Sequence, residues 1–181
     1  MDTFLKDSLD KLHYDKSQQA LKSFDKRYIS FINKENFISS DDCSIVMKSY
    51  DKINKNIVIL KILNKRGIIE LKDMIVENLH HPNIVSYIHT EVTNSLIFMY
   101  MKKYNCDMAE YMVEKSKPLN EQLFMYFFKK MAKTIKYLHS NGIAHYDIKL
   151  ETFLMSNPTE KYPHIVLSLS LIQISEPTRP Y

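Results

Sequence analysis

The stretch YLHSNGIAHYDIKLETFLM, residues 137–155, decides how this sequence is read. It runs from the end of an amphipathic segment into a short loop. Upstream of it, Phe124, Phe127, Phe128, Met131, Ile135 and Leu138 recur at helical spacing, which predicts a helix over 120–140 with one apolar face. Asn120 suits the N-cap, where a side-chain oxygen takes an amide that the helix leaves unpaired. Gly142 suits the C-terminal end, where a left-handed residue turns the chain away. Past that turn His145, Asp147 and Lys149 stand at alternate positions, followed by Thr152 and three large apolar residues.

Working outward, YISFI, SIVMKSY and NIVILKIL within residues 28–63 are rich in Ile, Val and Tyr and read as strands. The polar run DKINKN separates the last two. Residues 68–79 have helical spacing, and IVSYIHTEV and SLIFMYM return to strand. At the start, Phe4, Leu5, Leu9 and Leu12 predict a short amphipathic helix that either packs on its own domain or docks a partner. The order of elements indicates a small sheet-rich lobe joined to a helical one.

Composition excludes several classes. The chain has 181 residues, 45% hydrophobic and 25% charged, with a net charge of +4. Such a chain can bury a core, and its Lys residues are scattered among Asp and Glu, which argues against a nucleic-acid binder recognised by charge. The N-terminal residues carry charges throughout, so they form neither a signal peptide nor a membrane span. Cys43 and Cys106 lack metal-ligand spacing and read as thiols of a reducing compartment, consistent with a cytoplasmic protein. His80 and His81 are adjacent, with no Cys or carboxylate cluster beside them, and do not suggest a metal site.

FMYFFKKMAKTIKYLHSNGIAHYDIKLETFLM resembles the helix and catalytic loop of eukaryotic protein kinases, whose pattern is H-R-D-x-K-x-x-N. NIVILKIL is similar to the strand carrying the nucleotide-binding Lys, and HHPNIVSYIHTEVTNSLIFMYM to the following strands and hinge. The likeness covers roughly residues 28–168. It implies an α+β, protein-kinase-like two-lobe fold with a complete small lobe and the first part of the helical large lobe. The expected division is an N-terminal helical extension at 1–27, a small lobe at 28–98, and hinge plus partial large lobe at 99–168.

The resemblance also implies roles. Lys61 would hold the α- and β-phosphates of ATP, with Phe98 limiting the back of the adenine pocket and Met101 in the hinge. Asp147 would orient the substrate hydroxyl as base, Lys149 would neutralise the γ-phosphate, and His145 would serve as scaffold. Lys149 is similar to the Ser/Thr-specific branch. Thr152 takes the place of the Asn that ligates the second Mg2+, a weak metal ligand by comparison. Tyr146 replaces an Arg that in many relatives pairs with a phosphorylated activation loop. The partner expected is a protein substrate, with neither nucleic acid nor membrane involved.

Several positions depart from the family pattern. The three glycines of its phosphate loop fall on Ser39, Asp41 and Ser44, although glycine is used there to let backbone amides approach phosphates. Lys72 stands where the family has the Glu that pairs with the strand Lys. Ile68, Leu71, Ile75 and Leu79 define the inward stripe of that helix, close to Lys72 and away from Glu70 and Glu77. A different rotation would bring Glu70 into the place instead. These departures predict weakened binding of ATP and Mg2+ and impaired transfer of the γ-phosphate to Ser/Thr hydroxyls. The alternative is a pseudokinase acting as a binding or scaffolding module.

The C-terminal residues 169–181 are expected to be foreign to the domain. LSLIQISEPTR, residues 169–179, resembles a translated sequencing-library adaptor at every position except Gln173, and it begins where the family has the Asp of D-F-G.

Two cations facing one another repel, so Lys72→Glu is expected to strengthen ATP binding. Calorimetry of the wild type and the variant, side by side, checks this. Weaker binding by the variant would show that another carboxylate, Glu70, already serves Lys61.

Overall fold

The computed structural model describes residues 14–15, 20–22, 26–31, 33, 35–40, 44–64, 79–93, 96–114 and 119–169. The helix expected at Phe4–Leu12, Asp41, and residues 68–78 with Glu70, Lys72 and Glu77 lie outside these. The described residues form two compact units. One takes the strands up to residue 64 together with Tyr87–Lys103, and the other takes residues 79–86 together with Tyr104 onward.

The first unit is an antiparallel sheet. Its strands are β1 (Tyr14–Asp15), β2 (Ala20–Lys22), β3 (Tyr28–Phe31), β4 (Phe37–Ser40), β5 (Ser44–Asp51), β6 (Asn56–Asn64), β7 (Tyr87–Val92) and β8 (Leu96–Lys102). They lie in the order β1-β2-β3-β5-β6-β8-β7, and β4 also pairs with β5. Strands were expected at 28–32, 44–50, 56–63, 84–92 and 95–101, and strands are found at all five. The helical extension expected at 1–27, with its short helix at Phe4–Leu12, also contains strands. Residues 14–15 and 20–22 are strands, because β2 pairs along β3 and continues the sheet. The boundary drawn after residue 98 also falls inside β8, which is continuous to Lys102.

Period-two alternation accounts for the core of this unit. Ile45, Met47, Val58, Leu60, Ile62, Leu96, Phe98 and Tyr100 share one face with Tyr28 and are all buried. The Tyr28 ring stacks on Tyr100 with centroids 3.9 Å apart. At the β5–β6 turn the buried Asp51 carboxylate is held by Arg27, with Nε to Oδ1 at 3.1 Å and Nη2 to Oδ2 at 2.7 Å. It also accepts from the amides of Ile53 and Asn54 and from the Asn54 side chain. A buried carboxylate is tolerable only with such a set of donors. Arg27 above all holds its pKa well below the ordinary carboxylate value, against the opposing effect of burial.

The second unit is built on α1 (Met108–Glu114), α2 (Glu121–Ser140) and a three-stranded sheet. The sheet contains β9 (Cys106–Asp107), β10 (Phe153–Ser156) and β11 (His164–Leu167), in the order β11-β10-β9. Asp107 caps α1 by accepting from the Glu110 amide, while Glu110 accepts from the Asp107 amide, a reciprocal capping box. Asn120 caps α2 through the Leu123 amide at 2.8 Å, as its sequence position suggests.

At the other end of α2, Gly142 has φ +73°, and its amide donates to the His139 carbonyl while that of Ile143 donates to Leu138. This bond pair is a Schellman motif, and Leu138 and Ile143 are both buried beneath it. The apolar face of α2 is narrower than its spacing implied. Phe127 and Leu138 are buried with Thr134, whose hydroxyl bonds the Lys130 carbonyl. Phe124 and Phe128 are instead 54% and 55% exposed and stack on each other on the open flank.

The HHPNIV stretch fastens onto β11. Asn83 donates its side-chain amide to the Ile165 carbonyl and accepts the Leu167 amide on its own carbonyl, and Ile84 bridges Leu167 in parallel. His81 orients this turn by accepting the Asn83 amide on Nδ1 and packing on Tyr137. Burial, with Lys130 nearby, lowers the His81 pKa and favours the neutral ring that this bond requires.

Two outcomes test this account. Gly142→Ala meets no neighbour within 4 Å but must hold a positive φ, so it is expected to cost about 1 kcal/mol in urea melts. Because the folded pKa of Asp51 is depressed, its contribution is complete above the unfolded value of about 3.9 and is lost as pH falls below it. Arg27→Ala should destabilise by about 3 kcal/mol at neutral pH and flatten the fall in stability below pH ~4. An unchanged slope would rule out the Arg27–Asp51 pair as its source.

Candidate functional site

The candidate residues fall on both units, and each set is built by its own element. In the first unit β6 reads NIVILKILN, an almost unbroken apolar run suited to a strand covered on both faces. Lys61 is its one cation and is buried, with 7% of its surface exposed. Register places it between Val46 of β5 and Met99 of β8, on the face opposite the aromatic core. Met101, opposite Ile59, belongs to the same face one step along.

Phe98 does not. It pairs with Ile62 and points into the core beside Leu60 and Tyr100, so it cannot line the ground beside Lys61. Met99, fully buried directly across from Lys61, has that place. Nothing in the spacing could have identified Met99, because a one-residue change of register exchanges the two faces.

The hairpin of β4 and β5 occupies the phosphate-loop position. Ser39 is an exposed strand residue opposite Val46, and Ser44 is a buried one opposite Leu63. Neither adopts a positive φ. The conformational freedom that glycine would supply is therefore unused at these two positions.

The second unit's candidates lie on the loop between α2 and β10. His145 is buried, and its Nε2 lies 2.9 Å from the Ser168 carbonyl, which can only accept. Its Nδ1 accepts from the Asp147 amide at 3.3 Å. Both bonds require the neutral ring protonated at Nε2. Tyr146 between them takes φ +58°, a left-handed turn that costs a non-glycine residue about 1 kcal/mol. That turn returns the Asp147 amide to the His145 ring.

Downstream, Lys149 Nζ stands 3.2 Å from Asp147 Oδ1. Both side chains are about half exposed, so the pair contributes little to stability, and its interest is positional. Leu150–Thr152 forms a 3-10 turn. The Thr152 hydroxyl donates to the Lys149 carbonyl at 2.7 Å and lies 3.3 Å from the Lys149 amide. The Thr152 carbonyl accepts the Ser168 amide at 2.8 Å, and Leu169, which follows, is buried hydrocarbon.

The loop thus brings together His145, Asp147, Lys149 and Thr152. A carboxylate beside an ammonium on a fixed loop can accept a proton while neutralising negative charge nearby. Magnesium is a different matter. It wants several oxygen ligands, and the Thr152 hydroxyl is already bonded into the loop. Among the described residues no group of three or more His, Cys, Asp or Glu could hold a metal ion. Where the family has a carboxamide oxygen, Thr152 offers only a hydroxyl oxygen already bonded to Lys149, a poor fit to a magnesium ligand.

Comparison with known proteins agrees with this geometry. The protein kinase domain profile matches residues 32–168. The chain is 29% identical over 105 residues to the serine/threonine-protein kinase dkf-2 of Caenorhabditis briggsae, covering 58% of this chain and 9% of that protein. It is 25% identical over 130 residues to cyclin-dependent kinase F-3 of Oryza sativa subsp. japonica, covering 68% and 30%. It is 30% identical over 123 residues to NUAK family SNF1-like kinase 2 of Rattus norvegicus, covering 59% and 19%. The chain spans at most 30% of the length of these relatives. With a Lys-bearing strand, the fixed His-x-Asp-x-Lys loop and a profile match over most of its length, this chain belongs to the protein kinase domain family, with relatives of the serine/threonine type.

Proposed function

We propose that this domain transfers the γ-phosphate of ATP to a Ser or Thr hydroxyl of a protein, slowly. The observation that carries the reading is the Asp147–Lys149 pair, held at 3.2 Å on a loop pinned by His145. In the reaction the substrate hydroxyl would hydrogen-bond to the Asp147 carboxylate and release its proton there. Its oxygen forms the new bond to phosphorus as the bond to the β-phosphate oxygen breaks, and ADP leaves. Lys149 would neutralise charge on the transferred group, and Lys61 would hold the remaining phosphates. A cytoplasmic location fits this reading, and no helix among the described residues is long and apolar enough to cross a membrane.

The low rate follows from the hairpin of Ser39 and Ser44, which lacks the glycine cradle, and from the absence of a second metal ligand at Thr152. Those same observations favour the second reading, a kinase-fold module that binds a partner and transfers nothing.

The test is phosphotransfer from labelled ATP to Ser/Thr peptides by the full-length protein. A slow activity is expected, lowered at least about a hundredfold by Asp147→Asn. Activity indifferent to Asp147→Asn would sink the proposed role. No transfer by the wild type would favour the binding module.

A further inference from the structure

Thr152 is tied to Lys149 three times over. Its hydroxyl donates to the Lys149 carbonyl at 2.7 Å, the Lys149 amide points back at the same oxygen at 3.3 Å, and the Thr152 amide donates to that carbonyl at 3.2 Å. A hydroxyl has one proton and two lone pairs. Here the proton and one lone pair are engaged within a residue that is 8% exposed. A carboxamide divides such work between two atoms, with nitrogen donating to the loop and oxygen remaining open to a cation. A hydroxyl has only one atom for both.

The bonds also continue outward. The Thr152 carbonyl takes the Ser168 amide, and the Ser168 carbonyl takes Nε2 of His145, whose Nδ1 takes the Asp147 amide. Thr152 therefore closes a ring of hydrogen bonds that passes through the backbones of Lys149 and Asp147, the two residues whose side chains form the reacting pair.

Resting on the reading of this loop as a phosphotransfer loop, we infer that Thr152 is a positioning residue. Its hydroxyl locks the turn that presents Lys149 beside Asp147, which leaves it no free proton and a single lone pair for any other role. It acts through Lys149 and contributes no ligand to a divalent cation.

Three measurements on the full-length protein test this with Thr152→Ser, which keeps the hydroxyl, and Thr152→Val, which removes it at similar volume. Thr152→Ala repeats the comparison if the Val variant does not fold. First, Mn2+ is titrated with a non-hydrolysable ATP analogue and bound metal is counted by electron paramagnetic resonance. The count should be the same in wild type and Thr152→Val, and a loss of one Mn2+ in Thr152→Val overturns the inference. Second, hydrogen exchange at the Lys149 amide should accelerate about five- to tenfold in Thr152→Val and stay as in wild type in Thr152→Ser. Unchanged protection in Thr152→Val overturns it equally.

Third, kcat for phosphotransfer should fall about five- to tenfold in Thr152→Val, with KM for ATP within about twofold, and recover in Thr152→Ser. An altered KM with unchanged kcat would assign Thr152 to nucleotide binding instead. Phosphotransfer enters only this last measurement. A wild type without activity would count against the proposed function and leave metal counting and exchange to judge Thr152.

Discussion

One imidazole joins the His-x-Asp-x-Lys loop to the chain just past β11. His145 donates from one nitrogen and accepts on the other, so the Asp147 amide and the Ser168 carbonyl are both tied to one ring. From Ser168 the connection runs into β11, and β11 is bonded in turn to Asn83 and Val85. The loop and the HPN turn, far apart in sequence, are two margins of one hydrogen-bonded layer.

The sheet unit answers a different constraint, the placing of a cation in an apolar strand. β6 is flanked on both sides, by β5 and β8, so its backbone is fully paired and cannot shift register without exposing Val58, Leu60 and Ile62. Lys61 is thereby committed to one face. The same register sends Phe98 to the aromatic core and Met99 to the side of Lys61. At the far end of the hairpin, Asp51 gathers donors from Arg27 and from the turn, which joins β3 to the β5–β6 turn.

Much of this was legible in the amino-acid order because the relevant signals are local. Asn120 and Gly142 mark the two ends of α2 through backbone chemistry that acts within a few residues. Alternation of Ile and Val marks the strands, and the His-x-Asp-x-Lys spacing marks the loop. What escaped depends on partners distant in sequence. The assignment of Phe98 failed because facing is settled by pairing between β6 and β8. The strands at Ala20–Lys22 exist because β3 offers an edge. The engagement of the Thr152 hydroxyl depends on the turn that brings it back to Lys149, and the loop's tie to Ser168 runs through a backbone carbonyl, which carries no side-chain signature.

The two units are interleaved along the chain: residues 79–86 belong with the helical unit yet interrupt the sheet unit before Tyr87. During synthesis β6 would leave the ribosome well before β8, its second neighbour in the sheet. One backbone edge of this apolar strand therefore waits unpaired until Leu96–Lys102 has emerged. The HPN turn waits longer still, since β11 lies some eighty residues downstream. The nascent chain passes through an interval in which a nearly continuous hydrophobic strand has only the first of its two neighbours.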